Sequence, residues 1–177
     1  MTKQKKPNFI IIGAMKAATT SLYTYLKQHP DVFMTAIKEP MFFNNFQKNN
    51  NFKVHGRKTK KITTFEQYYQ LFNDVKNEKA IGEASPAYIS NEECPSLIQQ
   101  HLPNIKIIAI LRQPVARAYS NFLHARRADR EPLTDFETAF NKESERKDEN
   151  WSPLYHYKGK GYYTEQLELY HNLFQKE

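Results

Sequence analysis

Apolar positions along the chain follow two rhythms. Phe9 to Ile12 and the stretch "IKIIAIL", Ile105 to Leu111, are near-continuous apolar runs of strand length. Such runs suit strands of a parallel sheet covered on both faces. Elsewhere the apolar spacing opens to three and four residues. Leu22, Tyr25 and Leu26 would form one stripe of a helix over residues 19–29, ended by Pro30. The pattern predicts strands at 8–12, 31–34 and 79–83, with "IKIIAIL" the clearest, and helices at 95–101 and 163–174. Thr63 with Glu66, and Thr134 with Glu137, read as capping boxes opening two more helices, the first reaching Phe72. Pro114 suits a helix start, where its missing N–H costs little. Strands alternating with helices predict an α/β fold with a mostly parallel central sheet flanked by helices.

Composition narrows the setting. A length of 177 residues suits a single domain with one core. Plentiful Phe and Tyr with few glycines mark a globular chain. No apolar run reaches membrane-spanning length, and the basic start "MTKQKKPN" leads into a strand with no cleavable apolar segment. The single cysteine, Cys94, excludes an internal disulfide framework. These features predict a cytoplasmic protein. The net charge of +7 fits an acidic partner such as a nucleotide, a sulfated or phosphorylated sugar, or nucleic acid. Its densest part, "HGRKTKK" at His55–Lys61, is either a solvated loop or a docking strip for an anionic substrate.

Ligands of parallel α/β sheets bind beyond the carboxyl ends of the strands. Three loops leave strand ends here: Gly13 to Thr20, Glu83 to Ser90, and Arg112 to Ser120. In the first, an apolar strand breaks at Gly13 and a helix follows, with Lys16 and several hydroxyls at its mouth. Strand, tight turn and helix N-terminus together aim backbone N–H groups at one spot and suit an anion. The loop is not a Walker A loop, because the lysine comes three residues after Gly13 and Ala17 and Ala18 replace the later glycine. Taken alone, it also reads as an ordinary strand-to-helix turn with a solvated lysine.

Four stretches add a resemblance. "IIIGAMKAATTSLYTYLKQHPDV", "KEPMFFN", "GEASPAYI" and "IIAILRQPVARAYSNF" stand in the order found in sulfotransferases that use 3′-phosphoadenosine 5′-phosphosulfate. The chain resembles the bacterial and heparan-sulfate-type branch, and nearly all of it is covered. The resemblance implies a P-loop-like fold. It implies that Lys16, Ala17, Ala18, Thr19, Thr20 and Ser21 cradle the 5′-phosphosulfate, with Lys16 beside the bridging oxygen. Charge builds on that oxygen as the sulfuryl group departs, so a cation there favours the transition state. It implies that Arg112 and Ser120 hold the 3′-phosphate, and that Glu39 is the general base for a hydroxyl or amine acceptor. Glu83, Tyr88, Tyr157, Lys158 and Tyr163 would line the acceptor pocket, with structural roles equally open for Glu83 and Tyr88. The product would be adenosine 3′,5′-bisphosphate. The implied acceptor is a small molecule or glycan, not nucleic acid, and the oligomeric state stays open.

Two departures qualify the resemblance. Ala84 stands where heparan-sulfate-type relatives carry a lysine, so a second cation near the sulfate is missing or comes from elsewhere, with Lys38 one source. The sequence ends at Glu177, where relatives continue with a basic, glycine-containing loop, so the usual C-terminal segment is expected to be lacking. An alternative is therefore a non-catalytic domain of the same fold that binds nucleotide or anionic glycan. A nucleoside or sugar kinase is a third reading, disfavoured by the loop spacing. Leu167, Tyr170 and Phe174 read as a packed helix stripe rather than site residues.

Overall fold

The computed structural model describes residues 4–46, 52–53 and 62–174. In chain order the elements are β1 (Phe9–Gly13), α1 (Thr19–Lys27), β2 (Val32–Met34), α2 (Phe42–Asn45), α3 (Phe65–Gln70), β3 (Ala80–Ala84), α4 (Cys94–His101), β4 (Lys106–Ala109), α5 (Pro114–Arg127), α6 (Phe136–Asn141), α7 (Glu143–Asp148) and α8 (Tyr163–His171). The basic cluster His55–Lys61 lies outside the described residues. Contacts gather the chain into two units. Among the described residues, one comprises 4–46, 62–111 and 165–174; the other comprises 52–53 and 112–164.

The first unit is built on a four-stranded sheet in the order β2-β3-β1-β4, and every pairing is parallel. β1 is buried along its whole length, as its unbroken apolar run requires. Phe9 faces Gly82 of β3 on one side and Lys106 of β4 on the other. Gly82 leaves room for that ring, because a Cβ there would lie 2.3 Å from the Phe9 side chain. β4 departs from expectation. It pairs through β1 alone, and its ends, Lys106 and Ala109, are exposed. Its apolar run therefore belongs to an edge strand covered only in part.

α1 packs by a different face than the sequence suggests. Tyr23, Leu22 and Leu26 join Phe9, Ile11 and Met34 in the core, whereas Tyr25 is 68% exposed. The 100° step per residue allows either tyrosine to complete the stripe. Tyr23 occupies it, and its hydroxyl donates to the Thr35 carbonyl at 2.7 Å. A second apolar centre is aromatic: Phe42 stacks on Tyr68 at 4.5 Å, and Phe43 meets both Tyr68 and Tyr88 edge-on. The cap of α3 is Thr64, not Thr63. Its side chain accepts from the Gln67 N–H, while the Gln67 side chain accepts from the Thr63 N–H. The box is present but begins one residue later.

In the second unit, Pro114 opens α5 as expected, and the Gln113 side chain caps it by accepting from the Ala116 N–H at 2.6 Å. Ala118 and Phe122 of α5 pack on Ala139, Phe136, Phe140 and Tyr157. Asp135, not Thr134, caps α6 through the Thr138 N–H at 2.7 Å. α7 arises from the charged run "ESERKD", which shows no apolar periodicity. It turns Arg146 inward onto buried Glu131 in a two-pronged pair at 2.7 and 2.8 Å, and the Tyr157 hydroxyl donates to the same carboxylate at 2.7 Å. The guanidinium also lies over the Trp151 ring at 4.8 Å.

Candidate functional site

The loop after β1 is a turn with unusual backbone. Lys16 and Ala18 both adopt left-handed conformations, with φ of 67° and 64°. A non-glycine residue in that region costs about 1–2 kcal/mol, so the surroundings must hold it there. Left-handed residues set into a turn bring successive N–H groups into one concavity, the geometry that receives anions. Ala17 lies between the two, its N–H donating to the Ala14 carbonyl at 3.1 Å. Ala18 is the N-cap residue of α1 and offers no side-chain acceptor to the N–H groups of the first turn. Ala17 and Thr19 are buried, Lys16 is half-buried, and Ala18, Thr20 and Ser21 are exposed. Gly13 cannot carry a side chain, since a Cβ would lie 2.5 Å from Ile89.

Glu39 lies in the same unit on a second strained turn. Glu39 and Met41 are both left-handed, with φ of 57° and 52°. The Lys38 ammonium pairs with the Glu39 carboxylate at 2.5 Å, and both side chains keep contact with solvent. The end of β3 and the residues after it pin this segment. The Thr35 N–H donates to the Gly82 carbonyl at 3.2 Å and the Glu39 N–H to the Ala84 carbonyl at 3.1 Å. The Met41 N–H donates to Ser85 Oγ at 3.0 Å, and the Phe43 N–H to the Tyr88 hydroxyl at 3.4 Å.

Glu83 and Tyr88 are fully buried, so they support the segment from beneath rather than face a ligand directly. The Glu83 carboxylate accepts from Ser85 Oγ at 2.8 Å, the Tyr88 hydroxyl at 2.9 Å and the Tyr68 hydroxyl at 3.4 Å. Burial pushes its pKa up to about 7; the three hydroxyls pull it back, and the charge of Glu39 adds to the rise. Ala84 is buried too, within the core cluster of Phe9, Ile11, Tyr23 and Met34.

In the second unit, Arg112 is exposed just ahead of α5, and Ser120 is half-buried on that helix. Tyr157 is fully buried. Its hydroxyl donates to Glu131 and its carbonyl accepts from Arg117, so its polar atoms serve the packing of this unit. The Lys158 side chain is exposed, while its N–H donates to the Glu143 carboxylate. Tyr163 is half-buried at the start of α8. The sequence reading passed over Ser85, Tyr68 and Arg117. Ser85 had a signal: residues two apart near a strand end share a face, which aligns it with Glu83. Arg117 lies on α5 one position before Ala118 of the apolar face, where an arginine invites no special reading. Among the described residues, no cluster of His, Cys, Asp and Glu could hold a metal ion, and no helix is long and apolar enough to cross a membrane.

A profile described as "Sulfotransferase family" matches residues 7–160. The membrane-associated sulfotransferase kil1 of Dictyostelium discoideum is 35% identical over 116 residues, 66% of this chain and 22% of that protein. The bifunctional heparan sulfate N-deacetylase/N-sulfotransferase 4 of Mus musculus is 32% identical over 68% of this chain and 13% of its own length. The chain thus spans about a fifth or less of these curated relatives. Among solved structures, a sulfotransferase from Alicyclobacillus acidocaldarius superposes with a TM-score of 0.87 at 36% identity, covering 96% of this chain and 70% of that one.

Proposed function

Because the chain belongs to the sulfotransferase family, we propose that it moves a sulfuryl group from 3′-phosphoadenosine 5′-phosphosulfate to a hydroxyl or amine of a small-molecule or glycan acceptor. The observation that carries this reading is the turn after β1, with left-handed Lys16 and Ala18 and a nine-residue helix whose cap residue offers no side-chain acceptor. Such a turn fits the phosphosulfate end of the donor, because backbone N–H groups and one lysine meet anionic oxygens there. Lys16 neutralises charge on the oxygen that leaves sulfur. Thr19, Thr20 and Ser21 supply N–H groups and hydroxyls. Arg112 and Ser120 hold the 3′-phosphate. Glu39 takes the proton of the acceptor as its oxygen or nitrogen bonds to sulfur and the sulfur–oxygen bond to phosphate breaks. Adenosine 3′,5′-bisphosphate and the sulfated acceptor leave. The N-sulfotransferase relatives support an amine among the acceptors to be tried.

Calorimetry with adenosine 3′,5′-bisphosphate, AMP, and ATP with Mg²⁺ tests the donor. The 3′-phosphorylated nucleotide is expected to bind more tightly than AMP by about 1.5–3 kcal/mol, the range of charge-assisted hydrogen bonds. Arg112→Ala should erase the difference. Equal affinity for AMP in the wild type would overturn the role of Arg112, and tighter binding of ATP with Mg²⁺ would overturn the donor itself. Isotopically heavy sulfate donor with a panel of hydroxyl and amine acceptors then identifies the product by mass.

A further inference from the structure

The Glu83 carboxylate has hydroxyl donors on both of its oxygens and no cation among the partners it accepts from. Two of those hydroxyls do a second job. Ser85 Oγ accepts the Met41 N–H, and the Tyr88 hydroxyl accepts the Phe43 N–H. Each hydroxyl thus gives its hydrogen to Glu83 and its lone pair to the segment that carries Glu39. We propose that Glu83 is the positioning residue of the Glu39 turn, its carboxylate fixing the hydroxyl directions of Ser85 and Tyr88 so that each accepts a main-chain N–H from residues 41–43. The role of Glu39 as base rests on the sulfuryl-transfer reading; the positioning itself does not.

The polarity of the relay follows from hydrogen-bond capacity. An ionised carboxylate only accepts, so both hydroxyls must point their hydrogens at it. A carboxamide or a protonated carboxyl also donates, and the hydroxyl it faces then has a hydrogen without a partner in a buried site. That hydroxyl must turn its hydrogen elsewhere, and the N–H it was accepting then shares the oxygen's lone pairs with a second donor. The left-handed Glu39 and Met41 gain nothing from their own backbone preference, so they depend on these ties together with the bond from the Glu39 N–H to the Ala84 carbonyl. The relay also makes the turn sensitive to pH, because burial brings the Glu83 titration into the neutral range. The groups that face Glu83 are Tyr68 of α3, Tyr88, Glu39 with its partner Lys38, and Tyr170 of α8, which feels the Glu83 charge and donates to the Tyr88 carbonyl. The tyrosines stay neutral through that range, their pKa values raised first by burial, with the Glu83 charge adding to the rise in each and Cys94 adding more than Glu83 at Tyr170.

Amide hydrogen exchange, read residue by residue by NMR, tests the proposal without donor or acceptor. Its failure therefore leaves the sulfuryl-transfer reading standing, and the failure of that reading leaves this one testable. At pH 8, Glu83→Gln is expected to lower protection at the Met41 and Phe43 amides by about tenfold, the loss of one hydrogen bond, while Ile10 and Ile11 of β1 keep theirs. Wild-type protection at Met41 and Phe43 should fall between pH 8 and pH 6, and that fall should vanish in Glu83→Gln. Ser85→Ala should release Met41 alone and Tyr88→Phe should release Phe43 alone, which keeps the test open if Glu83→Gln folds poorly. Unchanged protection at both amides in Glu83→Gln would overturn the proposal. So would losses shared equally with β1, since they would mark a merely structural role.

Discussion

Replacing Glu83 by Gln is expected to remove the pH dependence that this carboxyl imposes on the stability of the sheet-bearing unit. The carboxyl has no contact with solvent, and its pKa is raised from 4.5 to about 7, first by burial. A shift of that size corresponds to about 3 kcal/mol between the two protonation states. The sign follows from proton counting. Between pH 4.5 and 7 the folded form binds more protons than the unfolded form, so this group's contribution to stability declines as pH rises through that window and is flat above it. Gln does not titrate, and its shape and hydrogen-bonding pattern approximate the protonated acid. The stability difference, variant minus wild type, should therefore grow by about 3 kcal/mol from pH 4.5 to pH 8, whatever its value at the acid end.

Half-buried His156 and buried Lys160 bend the absolute curve. His156 is depressed to about 4 and Lys160 to about 7, in both cases first by burial, so their contributions increase as pH rises through roughly 4–6.5 and 7–10.5. Both are present in wild type and variant and cancel in the difference. Urea unfolding followed by far-UV circular dichroism at four or five pH values measures it. Fluorescence is the wrong probe, because the one tryptophan, Trp151, belongs to the other unit. A pH-independent difference would refute the reasoning, since it would mean that Glu83 titrates alike in folded and unfolded chains.

The other predictions concern the candidate reaction and the second unit. Lys16→Ala should lower turnover roughly 10²–10³-fold with a much smaller change in affinity for adenosine 3′,5′-bisphosphate, measured by steady-state kinetics beside calorimetry. Glu39→Gln should cut sulfuryl transfer by about 10²–10⁴-fold at unchanged nucleotide affinity, and transfer at the wild-type rate on the best acceptor would remove Glu39 as base. Glu131→Ala leaves the Arg146 guanidinium buried without its carboxylate and should cost about 3–5 kcal/mol in the second unit, read from Trp151 fluorescence in urea.

Features legible in the sequence were those written in neighbouring residues. The runs at β1 and β4, Pro114 at the head of α5 and the strand–turn–helix after Gly13 all depend on spacings of a few residues. Misplaced features depended on choices that spacing leaves open. Thr63 and Thr64 both offer a hydroxyl, and the structure uses the one three residues before Gln67. Tyr23 and Tyr25 compete for one stripe, and the Thr35 carbonyl decides between them. β4 shows its apolar run in the sequence but not its edge position, because strand order is a property of long-range pairing. The hub at Glu83 joins residues more than forty positions from those it pins, a relation no local pattern carries.

Glu83 and Glu131 show why a buried charge must be judged by its partners. Glu131 is buried, yet hydrogen bonds from Arg146 and Tyr157 overcome the cost of burial and hold its pKa below the usual carboxylate value. Its ionised form is the one the fold prefers, and its contribution to stability is lost only as pH falls through that lowered pKa. Glu83 has three hydroxyls, and the charge of Glu39 raises its pKa further. Its ionised form is the one the fold resists. Ionisation of this carboxyl works against stability at pH 8, so packing alone does not account for a carboxylate at this position. Hydrogen-bond direction does. An acceptor on both oxygens lets Ser85 and Tyr88 turn their lone pairs together toward Met41 and Phe43, and with the bond from the Glu39 N–H to the Ala84 carbonyl that arrangement holds two left-handed residues in the turn that carries Glu39. The stability forgone at Glu83 is of the kind that functional sites sacrifice for geometry.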